Sequence, residues 1–300
     1  MSTESKIYKK KPVNPFQQKG AWYKANLHTH TTASDGDSTV PERIAQYREK
    51  GYSVLAITDH RKINDVNGLS SEKFLVLSGI ETHPACPNGG NLYHLVCLNV
   101  PFSLEFSEDS DANTRIKIAR QAGGETIFAH PYWCGHTINE LRAVKGYIAV
   151  EVYNATCTKI GKGFSSVQWD DLLASGEIVS AVASDDVHRD RDIFMGWTMI
   201  KARRLDADSI MEALRAGSFY ASCGPTIKDC RIENNEVVLR CSAVKEAHLI
   251  GRQASGQSFY ADGKKEITDL KCPIDKNWKY VRVEVVDRQG NRAWTNPFIL

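Results

Sequence analysis

Histidines and carboxylates recur at the edges of short apolar runs in this chain: His28-Thr29-His30, Asp59-His60, Glu81, His94, His130-Pro131, Glu151 and Ser184-Asp185-Asp186-Val187-His188. Most close a run; His94 stands at the start of one. His28 and His30 are two apart on an extended segment, so both imidazoles point the same way and can chelate one ion. Asp35 follows in Ser34-Asp35-Gly36, where the glycine is expected to relax the turn. Imidazole nitrogen and carboxylate oxygen without thiolate suit Zn²⁺, Mn²⁺ or Fe²⁺. A carboxylate has two oxygens and can hold two cations, the arrangement with which two-metal sites clamp an attacking and a leaving oxygen. The implied chemistry is hydrolysis by a metal-bound water, whose pKa drops from about 15.7 to about 7. No side-chain nucleophile is called for, and neither a G-x-S-x-G elbow nor a P-loop is present.

Six of the nine histidines lie in these segments, whereas His83, His136 and His248 read as ordinary surface or core residues rather than ligands. Arg61 follows His60, Arg189 follows His188, and Lys159 lies in the loop after Glu151-Val152-Tyr153-Asn154. With His136, in Trp133-Cys134-Gly135-His136, they are candidates to hold a substrate phosphate, against the plainer reading of solvated charge.

Ligands so far apart in sequence need a fold that gathers strand ends on one face, as a parallel β/α barrel does. Strands are expected at 23–28, 53–58, 74–80, 93–100, 126–129, 147–152, 178–183 and 196–201, with helices at 41–50, 113–122, 137–144, 166–174 and 206–216 between them. Several helices stop before glycine, at Gly51, Gly123, Gly146, Gly176 and Gly217. Residues 1–21 read as an N-terminal extension and 22–222 as the barrel; 223–300, with valine-rich alternating runs and turn signals, reads as an appended antiparallel β-domain.

The chain has 300 residues, 42% hydrophobic and 25% charged, with a net charge of +2, which gives no signature of nucleic-acid binding. No apolar stretch reaches the roughly 18 residues of a membrane span, and MSTESKIYKKKPVNPF is not a secretory signal, so a cytoplasmic location is expected. The eight cysteines form no C-x-x-C pair and read as free thiols.

Taken in order, His28-Thr29-His30 with Ser34-Asp35-Gly36, Thr58-Asp59-His60, Gly79-Ile80-Glu81, Ala129-His130-Pro131 and Ser184-Asp185-x-x-His188 resemble the motifs of the PHP (polymerase and histidinol phosphatase) superfamily over about residues 22–222. The resemblance implies an α/β fold, a distorted (β/α)7 barrel, and a site for two or three divalent ions. It implies one position made by His28, His30, Glu81 and Asp185, a second by Glu81, His94 and His130 with Glu81 bridging, and a third by Asp35, His60 and His188. The segments Gly217–Pro225 and Ala293–Pro297 resemble a stand-alone branch with a C-terminal β-domain, which includes carbaryl-hydrolase-like enzymes and predicted phosphoesterases. Cys223 stands where many of that branch carry Thr. The expected substrate is a small phosphorylated molecule. Two alternatives are a carboxylic or carbamic ester hydrolase and a metal-stabilised binding module using Trp278 and Trp294.

Overall fold

The computed structural model describes residues 11–87, 89–263 and 265–300. The first strands are β1 (Ala21–Asn26), β2 (Val54–Ile57), β3 (Leu75–Thr82), β4 (Leu95–Leu98), β5 (Glu125–Phe128), β6 (Ala149–Asn154), β7 (Ser180–Ser184) and β8 (Trp197–Ala202). They coincide with the eight expected strands, with ends displaced by no more than two residues. Then come β9 (Phe219–Ser222), β10 (Ile227–Glu233), β11 (Glu236–Val244), β12 (Glu246–Ile250), β13 (Gly256–Tyr260), β14 (Ile267–Pro273), β15 (Tyr280–Val286), β16 (Arg292–Thr295) and β17 (Phe298–Ile299). The helices are α1 (Val40–Glu49), α2 (Ala112–Gln121), α3 (Pro131–Cys134), α4 (Ile138–Ala143), α5 (Ser166–Ala174) and α6 (Ala207–Ala216).

Local chemistry accounts for the helix ends. Thr39 and Glu42 form a reciprocal capping box on α1, and Thr137 and Glu140 do so on α4. Asp111 and Asp206 cap α2 and α6. Gly217 closes α6 with φ 69°, a left-handed turn that a side chain resists.

Strands β1, β2 and β3 run parallel, as do β5, β6 and β7. Two strands depart from the expected parallel alternation. Strand β4 is antiparallel to both β3 and β5, and β8 is antiparallel to β1. No helix separates β3 from β4, and without a crossover two successive strands pair antiparallel. Beyond the strands, the ends of β1 and β7 meet: Thr29 and Val187 form a parallel bridge, His30 N donates to Val187 O at 3.1 Å, and Asp186 N donates to His28 O at 3.1 Å. Thr198 of β8 ties to Ala183 of β7 through its hydroxyl.

Alternate positions on these strands face different cores. Val54, Ala56, Leu75, Leu77, Val96, Leu98, Ile127 and Ala129 share one with Ile210, Met211 and Leu214 of α6. Leu55, Ile57 and Val76 share another with Ile44 and Tyr47 of α1.

The C-terminal strands are hydrogen-bonded to the rest of the chain. Strand β16 pairs with β9, so β13-β12-β15-β16 continue the large sheet, and β10-β11-β14 form a second, antiparallel sheet. Val237, Leu239, Val283 and Val285 fill the space between the two. The expected N-terminal extension lies partly outside the described residues. Within its described part, Val13 N donates to Ala216 O, and Phe16 packs against Trp22 and Tyr220.

Candidate metal centre

Glu81, near the end of β3, is fully buried and ringed by imidazoles. Its Oε2 lies 2.7 Å from His60 Nδ1, 3.3 Å from His28 Nε2 and 3.4 Å from His30 Nε2. Its Oε1 lies 2.7 Å from His94 Nδ1, 3.4 Å from His130 Nε2 and 3.7 Å from His83 Nε2. The antiparallel course of β4 explains His94. Because Thr82 pairs with Leu95, the beginning of β4 lies at the same edge as the end of β3. The one histidine that stands at the wrong end of its run in the sequence thus stands at the right end in space.

Asp186 supplies the second central carboxylate. Its Oδ1 lies 3.0 Å from His30 Nε2 and 3.2 Å from His28 Nε2, and its Oδ2 lies 3.8 Å from His130 Nε2. This corrects the expectation for Asp185. Asp185 is buried, but both its oxygens are taken: Tyr47 Oη donates at 2.6 Å, and the N–H groups of Phe194, Met195 and Gly196 donate at 2.7–2.8 Å. Its carboxylate anchors the loop after β7. The backbone turns left-handed at Asp186 (φ 53°), a conformation Asp tolerates better than most residues, and it is Asp186 whose carboxylate meets the histidines. Asp186-Val187-His188 repeats the two-residue spacing of His28-Thr29-His30.

A third set lies toward the surface. Asp35 Oδ1 is 3.4 Å from His188 Nε2, 3.6 Å from His60 Nε2 and 3.9 Å from His30 Nδ1. Gly36 is required here for a reason other than turn flexibility. Its φ lies outside the left-handed region, but a Cβ would sit 2.5 Å from His30 O.

Buried partners orient the imidazoles. Glu151 Oε1 lies 2.8 Å from His28 Nδ1, and Glu151 Oε2 accepts from His130 N and Asn154 Nδ2. With its proton on Nδ1, His28 presents Nε2 to the cluster. His188 Nδ1 lies 2.7 Å from Asp186 O, leaving Nε2 for the side of Asp35. Asp59 accepts from Thr31 and Ser34 and so fixes the loop that carries Asp35.

The residues fit divalent ions. His28 Nε2, His30 Nε2, Glu81 Oε2 and Asp186 Oδ1 are buried, find no hydrogen-bond partner outside this cluster among the described residues, and lie within 4.8 Å of one another. Unpaired buried polar atoms are costly, so four that converge point to a ligand. The charge balance agrees. Burial by itself would raise the pKa of Glu81, but the surrounding histidines outweigh it and hold the carboxyl well below its usual range. Asp186 is held down in the same way by His28, His30 and His188. Burial would depress His30, yet bonds to Asp186 and Glu81 raise it to about 9. Two carboxylates held ionised in the interior demand positive charge, which protons or metal cations can supply.

Three sequence readings change. His136 is buried, its Nε2 faces Leu92 O at 3.2 Å, and it packs on Tyr93 and Phe128, so it is a core residue rather than a phosphate contact. His83, set aside as ordinary, lies within the cluster. Cys134, on α3, has its Sγ 3.4 Å from His130 Nδ1, so a thiol adjoins a donor set that the sequence reads as thiolate-free. Arg61, Lys159 and Arg189 are exposed; Arg61 N donates to Glu81 O, and Arg189 Nη1 donates to Asp35 O and His188 O. Trp133, which no sequence signal singled out, lies edge-on to His94 and His130 with ring centroids 5.6 and 5.2 Å away, and forms a partly exposed apolar rim.

No protein-family model and no curated protein matches the sequence. Solved structures do. A two-domain protein from Bacteroides vulgatus, containing a predicted PHP-like metal-dependent phosphoesterase, aligns over 98% of both chains with a TM-score of 0.54 and 14% identity. A protein from Bifidobacterium adolescentis, provisionally described as a metal-dependent phosphoesterase, aligns over 63% of this chain and 95% of its own, with a TM-score of 0.42 and 14% identity. The class defined by fold and site is an α/β protein with a buried cluster of histidines and carboxylates at one edge of its sheet. The chain shares its fold with the Bacteroides vulgatus protein, which accords at the level of fold with the resemblance read in the motifs.

Proposed function

We propose that this chain is a metal-dependent phosphoesterase that hydrolyses a phosphate ester of a small metabolite, nucleotide or short oligonucleotide. The observation that carries the reading is the convergence of four buried donor atoms, His28 Nε2, His30 Nε2, Glu81 Oε2 and Asp186 Oδ1, with no hydrogen-bond partner outside the cluster among the described residues. The proposed cofactors are two or three divalent ions, Mn, Zn or Fe, which supply a Lewis acid and an activated water when bound. His28, His30, Glu81 and Asp186 would hold one; Glu81, His94 and His130 a second; Asp35, His60 and His188 a third. Glu151 keeps the His28 ring turned toward the cluster. Exposed Arg61 and Arg189, whose backbone or guanidinium bonds to ligand-bearing segments, support an anionic substrate at this mouth, with Lys159 as a further cation.

The reading includes a seven-stranded barrel, a division at 22–222 and 223–300, and a reducing cytoplasmic setting; eight buried unpaired cysteines support the last. The binding-module alternative is not supported for Trp294, which is buried with Nε1 donating to Glu284 Oε2 at 2.9 Å and offers no face to a sugar.

The test is elemental analysis of the purified protein, with hydrolysis of p-nitrophenyl phosphate, bis-p-nitrophenyl phosphate and 1-naphthyl carbamate measured with added Mn²⁺. Metal-dependent turnover of a phosphate ester is expected. It should fall at least about a hundredfold in Asp186→Asn and in His30→Ala, since loss of a coordinating group removes the ion that activates water. Wild-type rates in either folded variant would refute the assignment, and turnover of the carbamate alone would move the reaction to carbon.

A further inference from the structure

Three pairs of residues, each two apart, close onto the cluster: His28 and His30, Asp186 and His188, and Glu81 and His83. The first two pairs place both members among the donors of the proposed site. The third belongs to the end of β3 and the residue just beyond it, where successive side chains alternate and i, i+2 share a side.

His83 is a buried ring, with its side chain only 7% exposed. Its Nε2 lies 3.2 Å from His60 Nδ1 and 3.7 Å from Glu81 Oε1, and its ring stands edge-on to His94 with centroids 4.3 Å apart. Its Nδ1 is buried without a hydrogen-bond partner among the described residues. Its polar contacts among the described residues run to the cluster alone, through the hydrogen bond to His60 Nδ1 and the approach to Glu81 Oε1. Glu81 Oε1 is the centre on this side: the nitrogens of His94, His130 and His83 lie 2.7, 3.4 and 3.7 Å from it. His83 shares a donor group with His60 and Glu81, whose ligand atoms all lie within 4.8 Å of one another, a span that one ion can bridge.

We infer that His83 Nε2 is an additional metal ligand beside Glu81, in the donor group that the two form with His60. The inference rests on the proposed metal-dependent function and extends the donor set by one residue. A further protein donor beside the buried Glu81 suits this side to holding an ion in place, while the more exposed side of Asp35 and His188 keeps room for substrate.

The test is titration of metal-free protein with Co²⁺ alone, following bound equivalents by equilibrium dialysis and coordination by visible absorption, for wild type, His83→Ala and His83→Gly. Circular dichroism checks that the variants fold. His83→Ala should lose one equivalent of Co²⁺, or bind it at least about tenfold more weakly with a changed spectrum. Imidazole added to His83→Gly should restore the wild-type spectrum. Unchanged stoichiometry and affinity in folded His83→Ala, or weaker binding with an unaltered spectrum at saturation, would overturn the inference, the latter marking His83 as packing behind the ligands. Wild-type protein that binds no Co²⁺ would instead bring down the proposed function itself.

Discussion

At the scale of single residues, the two adjacent aspartates have opposite tasks. Asp186 faces the imidazoles of His28 and His30 and the Asn154 amide, whereas Asp185 accepts from one hydroxyl and three backbone N–H groups. Burial raises the Asp185 carboxyl to about 6 against the opposing pull of those donors. Asp185→Asn turns one acceptor oxygen into an NH2 group facing backbone N–H donors and should lower unfolding stability by about 1–3 kcal/mol, the cost of buried donors left unsatisfied. Urea denaturation measures this. The same variant should bind the wild-type number of Co²⁺ ions, and loss of an ion would show that Asp185 is a ligand after all. The presence of an acidic residue in this segment was legible from the strand-end pattern. Which of the two adjacent carboxylates it is depended on the left-handed turn at Asp186, a backbone detail that residue types alone do not settle.

At the scale of elements, the ends of strands and the loops beyond them bring the donors together. The loop 31–36 is pinned by Asp59 to Thr31 and Ser34, and Gly36 N donates to Thr31 O at 2.9 Å. A methyl at Gly36 would strike the His30 carbonyl, and backbone cannot yield as a flexible side chain can. Gly36→Ala should push Asp35 outward and weaken one Co²⁺ equivalent about tenfold while the buried position of His28, His30, Glu81 and Asp186 still fills. Dialysis resolves the two classes, and equal affinity for all ions in Gly36→Ala would contradict the role given to this loop. Strand positions and most helix caps were legible because apolar runs, capping boxes and glycine stops are local. The reversal of β4 was not, since a strand's direction follows from the connection before it and from its neighbours.

At the scale of the whole molecule, the C-terminal strands are welded to the site-bearing part by a buried polar seam. Arg282 of β15, 1% exposed, makes a two-bonded pair with Asp170 of α5 at 2.6 and 2.7 Å and a contact with Glu284, which also meets Arg292 and Trp294. Asn296 donates to Gly217 O and Phe219 O and accepts from Ala181 N. Arg282→Ala strips Asp170 of its partner and Glu284 of one of three, and should cost about 1–3 kcal/mol of stability, with both parts of the chain losing structure in one transition. Two separate transitions in calorimetry would show instead that the C-terminal strands fold independently.

The amino-acid sequence by itself determined the kind of chemistry, the strand ends that carry it and the α/β class, because donor types and hydrophobic periodicity are properties of short segments. Tertiary structure decided the rest: Asp186 in place of Asp185, His83 and Cys134 drawn in, His136 sent to the core, and His94 placed beside Glu81 by an antiparallel strand. It also joined the C-terminal strands to the main sheet through β9 and β16. These outcomes share one physical reason: they depend on strand direction, on a single backbone dihedral and on which buried atoms find partners, and those are settled only when distant segments pack together.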